Sequence, residues 1–255
     1  MLALDVRAFS AAKLGNSEEE YEDAFSHDAL FGRFAIADGA SESSFARRWA
    51  ELLAQGYVSL PPSLSRRRAQ RFLEWLRPLR EEWRATIPWA TLPWYAEQKA
   101  RAGAFSSLLG VCVPGRPSAA KRRWSAVAIG DSCLFHVRGP ALLRAFPTAK
   151  SSGFGNSPFL LRSIADSRQS PLQGVVFAQG RCRPGDTFVL ATDALAQWLL
   201  AATEAGQNPW GATASIPDQA SFAAWVATLR AERLLRNDDV TLMVIEVRDA
   251  LASAL

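Results

Sequence analysis

Residues 34–43 read FAIADGASES, a short apolar run that stops at a carboxylate and a glycine. The run predicts a buried strand with Asp38 at its end. Gly39 permits a backbone turn that most side chains would block, and the polar residues after it open a helical pattern. An aspartate in this place is either part of an ordinary Asp-Gly turn or a ligand on a rigid platform. The stretch by itself leaves both interpretations open.

The same arrangement recurs along the chain. The sequence FVLATD ends at Asp193, and VAIGD ends at Asp131. In NDDVT the order is reversed, because Asp238 leads into the apolar run. A metal site built from carboxylates needs several acids that are distant in sequence and held on rigid elements. The recurrence therefore favours the ligand interpretation.

Length and composition set the broad class. The chain has 255 residues, of which 49% are apolar, and we find no internal repeat and no linker. We therefore expect one domain over residues 1–255. No apolar run approaches the ~20 residues that a membrane span needs, and the N-terminus lacks the form of a signal peptide. Cys112, Cys133 and Cys182 show no C-x-x-C spacing, which is typical of reduced thiols in a cytoplasmic protein.

The net charge of +4 owes much to seven arginines between residues 66 and 84. One interpretation of this cluster is a nucleic-acid surface, and the other is a solvated helix face. Three glutamates, Glu74, Glu81 and Glu82, are mixed with the arginines. A surface that follows phosphates normally carries few acids. We therefore expect a solvated helix and no nucleic-acid partner.

Periodicity predicts a layered α+β domain. Alternating or continuous apolar runs predict strands over residues 2–12, 30–37, 108–113, 187–191 and 240–247, and a hairpin over 124–137. Helical spacing predicts helices from Glu42, within a Trp- and Arg-rich segment at 63–106, over 195–205 and over 218–235. Ser41 or Ser43 is the expected cap of the first helix. Residues 208–217 are expected to form a loop and residues 151–180 an irregular loop excursion.

The candidate ligands are oxygen atoms, which Mg²⁺ and Mn²⁺ prefer. The chain has two histidines, His27 and His136, and neither has the spacing of a zinc ligand. No phosphate-binding P-loop, no Gly-x-Ser-x-Gly and no Gly-x-Gly-x-x-Gly is present. The sequence therefore indicates a hard divalent cation rather than zinc or a nucleotide cofactor.

Five short motifs, taken in order, resemble those of the metal-dependent type 2C protein phosphatases, the PPM family. They are Glu22-Asp23, Ala37-Asp38-Gly39, Gly130-Asp131-Ser132, Ala191-Thr192-Asp193 and Asp238-Asp239-Val240-Thr241. Together they span nearly the whole chain. The resemblance implies a four-layer α-β-β-α sandwich, in which two mainly antiparallel sheets are flanked by helices. It also implies two Mn²⁺ or Mg²⁺ ions that share a water, which attacks phosphoserine or phosphothreonine in a protein substrate.

The resemblance assigns roles residue by residue. Asp38 would bridge both ions, and the Gly39 carbonyl would bind one of them. Asp193 and Asp238 would hold the other, which makes Asp38 and Asp193 the principal catalytic residues. Glu22 and Asp23 would act through metal-bound waters, and Asp131 with Asp193 would hold the third ion found in some members. A phosphorylated protein is the expected partner, and a cognate kinase would be a second partner that the sequence does not identify.

The chain also departs from the family pattern. Glu19 stands where the family places a phosphate-binding arginine, and residues 40–43 replace its glycine pair and histidine. Lys13, Arg47 and Arg48 are the candidates for the missing cation. Two other functions therefore stay open beside the protein phosphatase: a phosphatase-like binding module that keeps metal, and a hydrolase of small phosphoesters.

Overall fold

Two five-stranded sheets dominate the computed structural model, which describes residues 2–62, 68–113, 123–155, 158–165 and 173–249. The strands of these residues are β1 (Leu2–Ala11), β2 (Ala24–Asp28), β3 (Arg33–Ala37), β4 (Phe105–Ser106), β5 (Leu108–Cys112), β6 (Arg123–Ile129), β7 (Cys133–Arg138), β8 (Ala141–Phe146), β9 (Leu161–Arg162), β10 (Val176–Arg181), β11 (Asp186–Ala191) and β12 (Val240–Asp249). The first sheet has the order β1-β12-β11-β7-β8, and the second has the order β10-β6-β5-β3-β2. All neighbouring strands are antiparallel.

Helices cover the outer faces of both sheets. The helices α1 (Ala46–Ser59), α2 (Arg68–Thr86) and α3 (Trp94–Arg101) pack over the second sheet. On the first sheet lie α4 (Asp193–Glu204), α5 (Pro209–Ser215) and α6 (Gln219–Ala231). Among the described residues, no helix combines the length and the apolar composition needed to cross a bilayer.

Strand alternation explains why there are three separate cores. On β12, Met243 and Ile245 face a core between the two sheets, whereas Leu242 and Val244 face the core beneath α4 and α6. Successive side chains of a strand point to opposite faces, so a strand that is apolar throughout needs cover on both sides. A third core lies between the second sheet and α1 to α3. Three cores separate four layers, and the predicted α-β-β-α sandwich is confirmed.

The first helix begins later than predicted. Residues up to Ser44 form a turn, and α1 starts at Ala46 because Phe45 takes a left-handed conformation with φ of 61°. Neither Ser41 nor Ser43 caps it. The Ser43 hydroxyl instead donates to the Ala40 carbonyl and accepts from the Phe105 N–H. This serine joins the turn after Asp38 to β4.

Four further predictions need correction. In the helical segment expected at residues 63–106, the part after Thr86 contains one helix, α3, whose start is delayed by Pro88 and Pro93, and then β4. The loop expected over 208–217 contains α5, for which the Asn208 side chain accepts the Gly211 N–H and Pro209 starts the first turn. The excursion expected over 151–180 includes β9 and most of β10, and the strand expected from Leu30 starts at Arg33. The predicted helix start at residues 63–67 lies outside the described residues.

Candidate metal centre

The sheet topology brings together the four strand ends that carry the predicted acidic ligands. Both β3 and β6 pair with β5 in antiparallel fashion, so they run parallel to each other and end at the same edge. Asp38 and Asp131 follow these two strands. In the other sheet β11 is antiparallel to β12, so the end of β11 meets the start of β12. Asp193 and Asp238 flank that junction at the same end of the sandwich.

The carboxylates converge on one cavity. Asp38, Asp131 and Asp193 each offer an oxygen atom, and these atoms lie within 4.8 Å of one another. The cavity has a volume of about 410 Å³, and its lining also includes Gly39 and Asp238. One cavity therefore brings together the predicted metal ligands Asp38, Gly39, Asp131, Asp193 and Asp238.

Glu22 and Asp23 lie behind this cluster. The Glu22 N–H donates to Asp239 Oδ2 at 2.8 Å, and the Glu22 carbonyl faces Gly39 so closely that a Cβ there would lie 2.7 Å from it. The buried Asp23 carboxylate accepts a hydrogen bond from Thr241 Oγ1 at 2.8 Å. The turn after β3 and the start of β12 thus fix the position of the Glu22-Asp23 segment.

Burial and mutual repulsion make ionised carboxylates costly here. Desolvation, followed by the charges of Asp23 and Asp193, raises the pKa of Asp38 well above its usual range. Desolvation likewise raises the pKa of Asp131 to about 6 and that of Asp23 to about 8. A divalent cation would relieve this repulsion, since a nearby positive charge favours the ionised form. The oxygen donors and their unbalanced charge fit Mn²⁺ or Mg²⁺.

Hydroxyl groups that the sequence did not single out hold the strand ends in place. The Asp38 N–H donates to Ser107 Oγ at 3.0 Å, and the Ser107 and Ser132 hydroxyls are hydrogen-bonded at 2.8 Å. On the other sheet, the Thr241 N–H donates to Thr192 Oγ1 at 2.9 Å. Ser132, Thr192 and Thr241 stand inside the recognised motifs, but only the tertiary structure assigns them these partners.

Arg236 is a further residue of the site that the sequence analysis did not indicate. Its Nη2 atom donates to Asp193 Oδ2 and lies 3.1 Å from Asp238 Oδ2. The side chain also lines the cavity. The only signal in the sequence is a basic residue two positions before Asp238, which does not say where the guanidinium lies.

The three predicted substrate cations lie in different places. Lys13 Nζ donates to Ser41 Oγ at 3.1 Å, and Ser41 lines the cavity, so Lys13 is at its rim. Arg47 donates to the carbonyl oxygens of Glu18 and Glu19 and pairs with Glu51. Arg48 pairs with Glu51 and with Glu82 on α2. The structure brings Lys13 near the carboxylates and uses both arginines to connect α1 to its neighbours.

Cys112 and Cys133 are not activated thiols. All three cysteines of the chain are free. Cys133 is buried two residues after Asp131, and desolvation raises its pKa to about 12. Desolvation also raises the pKa of Cys112. The thiols of Cys112 and Cys133 are therefore protonated at neutral pH, whereas a cysteine nucleophile requires the thiolate.

A four-layer sandwich with acidic strand ends at one edge is the fold of the PPM-type serine/threonine phosphatases, and this chain is a divergent example of that fold. The catalytic domain of the serine/threonine protein phosphatase PstP, solved with two manganese ions, superposes with a TM-score of 0.61 at 19% identity, over 98% of this chain and 100% of that one. The Mycobacterium tuberculosis phosphatase PstP/Ppp gives a TM-score of 0.63 at 18% identity, over 97% and 100%. PppA, described as a key regulatory component of T6SS in Pseudomonas aeruginosa, gives 0.61 at 17% identity, over 97% and 100%.

No protein-family model and no curated protein sequence matches the chain. The likeness to the solved phosphatases therefore rests on the arrangement of the backbone. It establishes the fold, and the chemistry has to be argued from the residues at the site.

Proposed function

We propose that the chain is a metal-dependent protein serine/threonine phosphatase, a single cytoplasmic domain that hydrolyses phosphoserine and phosphothreonine. The observation that carries the proposal is the convergence of Asp38, Asp131 and Asp193 within 4.8 Å at the end of a phosphatase-type sandwich. Four strand ends from two sheets supply acids to one cavity, although burial makes their charges costly there. Such an arrangement is stable only when something compensates for the charge.

The chain's own residues have distinct parts in this proposal. Asp38, Asp193 and Asp238, with the Gly39 carbonyl, would hold two Mn²⁺ or Mg²⁺ ions, and Asp131 would contribute to a third site. Bound there, the ions would supply an activated water and neutralise the phosphoryl oxygens. Ser107 holds the backbone at Asp38, which keeps the principal ligand rigid. Glu22 and Asp23 would act from behind through water molecules.

Lys13 is the proposed outer cation for the substrate phosphate. A phosphate dianion gains from a fixed charge-assisted hydrogen bond on its peripheral oxygens. Glu19 stands in the family's arginine position and belongs to an exposed helical turn at Glu18–Glu20. Lys13 lies at the rim of the cavity through Ser41, while Arg47 and Arg48 are engaged in other contacts.

The second candidate is a binding module that keeps metal and recognises a phosphoprotein without hydrolysing it. Two departures favour it: the acid at Glu19, and the absence of a histidine in residues 40–43, directly after Gly39. Metal ligation does not depend on either position. Turnover of a phosphopeptide, as opposed to binding of it, separates the two candidates.

The test is to replace the two principal ligands without removing their bulk. In excess Mn²⁺, Asp38→Asn and Asp193→Asn should each lower kcat/KM for a phosphothreonine peptide by more than about 100-fold, because each removes a charge that stabilises the reacting centre. Asp218→Asn, an exposed carboxylate at the start of α6, is the matched control and should keep wild-type turnover. Circular dichroism checks the fold. Wild-type turnover in either ligand variant would refute the assignment, and turnover of a small aryl phosphate alone would indicate the small-phosphoester hydrolase.

A further inference from the structure

Arg236 lies on two of the carboxylates that are proposed to hold metal. One nitrogen, Nη2, reaches Oδ2 of Asp193 and Oδ2 of Asp238 at the same time. The two aspartates come from neighbouring strand ends, at the start of α4 and just before β12. Arg236 also shares the cavity with Asp38 and Asp131. An internal cation therefore lies where the ligand set converges.

A metal ion and this guanidinium exclude each other from the pair of oxygens. Carboxylate oxygens bind Mg²⁺ at about 2.0–2.1 Å, which is the space that the Nη2 atom takes. The guanidinium of arginine keeps its charge at every accessible pH. Two cations at such a separation repel strongly in a partly buried site. The ion can bind Asp193 and Asp238 through these oxygens only after the arginine has moved.

We propose that Arg236 is a resident counter-cation of Asp193 and Asp238 that competes with the divalent metal, so that this arginine sets the metal affinity of the centre. The inference rests on the proposed function, because it assumes that these aspartates are metal ligands. The Arg236 side chain is 46% exposed, so it can turn towards solvent when metal displaces it.

The test measures Mn²⁺ binding to the full chain by calorimetry, without substrate and without an activity readout. Arg236→Ala should lower the Kd for Mn²⁺ by about tenfold or more, the scale of one charge-assisted interaction. Arg236→Lys keeps a charge but loses the planar fork, and should fall between wild type and Arg236→Ala. Arg236→Gln removes the charge while keeping hydrogen-bond donors. It should also bind Mn²⁺ more tightly, and it replaces the alanine variant if that variant does not fold without metal.

Arg248→Ala is the control for a general loss of positive charge. Arg248 lies on β12, roughly 30 Å from Asp238 by the rise per residue, and pairs with Glu246 on the same strand and with Asp5 on β1. The Kd of the Arg248→Ala variant for Mn²⁺ should stay within about twofold of the wild-type value. If wild type binds Mn²⁺ and both neutral Arg236 variants bind it equally or more weakly, the competition is refuted while the metal site stands. If neither wild type nor any variant binds Mn²⁺, the metal site and the competition both fail.

Discussion

At the scale of single residues, Gly39 is where two parts of the site touch. A Cβ at this position would lie 2.7 Å from the Glu22 carbonyl oxygen and 3.0 Å from the backbone of Ala46. Both neighbours are main-chain atoms, which yield less easily than a flexible side chain. The close approach of the Glu22-Asp23 segment therefore requires a glycine at this position.

We predict that Gly39→Ala destabilises the protein by about 1–3 kcal/mol, the usual cost of forcing extra volume into a packed site. Urea unfolding measures this, and Mn²⁺ affinity should fall as Asp38 shifts. Gly155→Ala is the matched control, since Gly155 lines the same cavity and a Cβ there meets nothing within 4 Å. Equal stability of the two variants would contradict the packing argument.

Asp23 gives the metal-free protein a pH-dependent stability. Its pKa is about 8 in the folded chain, chiefly through desolvation, against ~3.9 for an unfolded aspartate. The folded state therefore holds a proton that the unfolded state releases, so the free energy of unfolding falls as pH rises from about 4 to 8. Asp23→Asn removes this ionisation.

In chelator, the free energy of unfolding of Asp23→Asn should rise relative to that of wild type between pH 5 and pH 8, by at least about 1 kcal/mol. Urea titrations at the two pH values provide the comparison. A stability difference that is the same at both pH values would show that Asp23 does not titrate in this range.

At the scale of elements, the segment before β12 fixes the segment after β1. The buried Asp239 accepts the Lys13 N–H through Oδ1 and the Glu22 N–H through Oδ2, each at 2.8 Å. One carboxylate thus positions both the proposed outer cation and the Glu22-Asp23 segment. Asp238, which lines the same cavity as Asp239, pairs instead with Arg236.

Asp239→Ala should cost about 2 kcal/mol or more, because two backbone N–H groups lose their acceptor. It should also weaken Mn²⁺ binding, since Glu22 is no longer held against the cluster. Asp218→Ala removes a carboxylate that accepts a backbone N–H at the exposed start of α6, and should cost about 1 kcal/mol without changing Mn²⁺ affinity. Thermal unfolding and metal titration test the pair, and identical effects of the two substitutions would refute a specific role for Asp239.

The elements that could be predicted are those whose apolar pattern reflects burial. The strand at Val240–Asp249 is covered on both faces, and its continuous apolar run made it recognisable. The start of α1 could not be predicted, because the left-handed Phe45 is imposed by contacts such as that of the Trp83 indole with its carbonyl. Similarly, α5 has only 7 residues, too few for a clear periodicity, and its Trp210 packs on Phe135, which is distant in sequence.

At the scale of the whole molecule, the site is a consequence of sheet pairing. The positions of Asp38, Asp131, Asp193 and Asp238 at strand ends were readable from the sequence, since an apolar run stops or starts at each. Their convergence depends on which strands are neighbours, which short-range periodicity does not encode; the resemblance of the motifs supplied it. The Arg236 contact and the serine pair at Ser107 and Ser132 arise only from the folded arrangement.

The most direct measurement of the central claim is phosphate release from a phosphothreonine peptide by one protein preparation, in excess Mn²⁺ and in chelator. The account predicts turnover with Mn²⁺, a loss of more than about 100-fold in chelator, and recovery when Mn²⁺ is restored in excess. Undiminished turnover in chelator would contradict the role of the carboxylate cluster. Mn²⁺ binding without any turnover would contradict the phosphatase and leave the binding module.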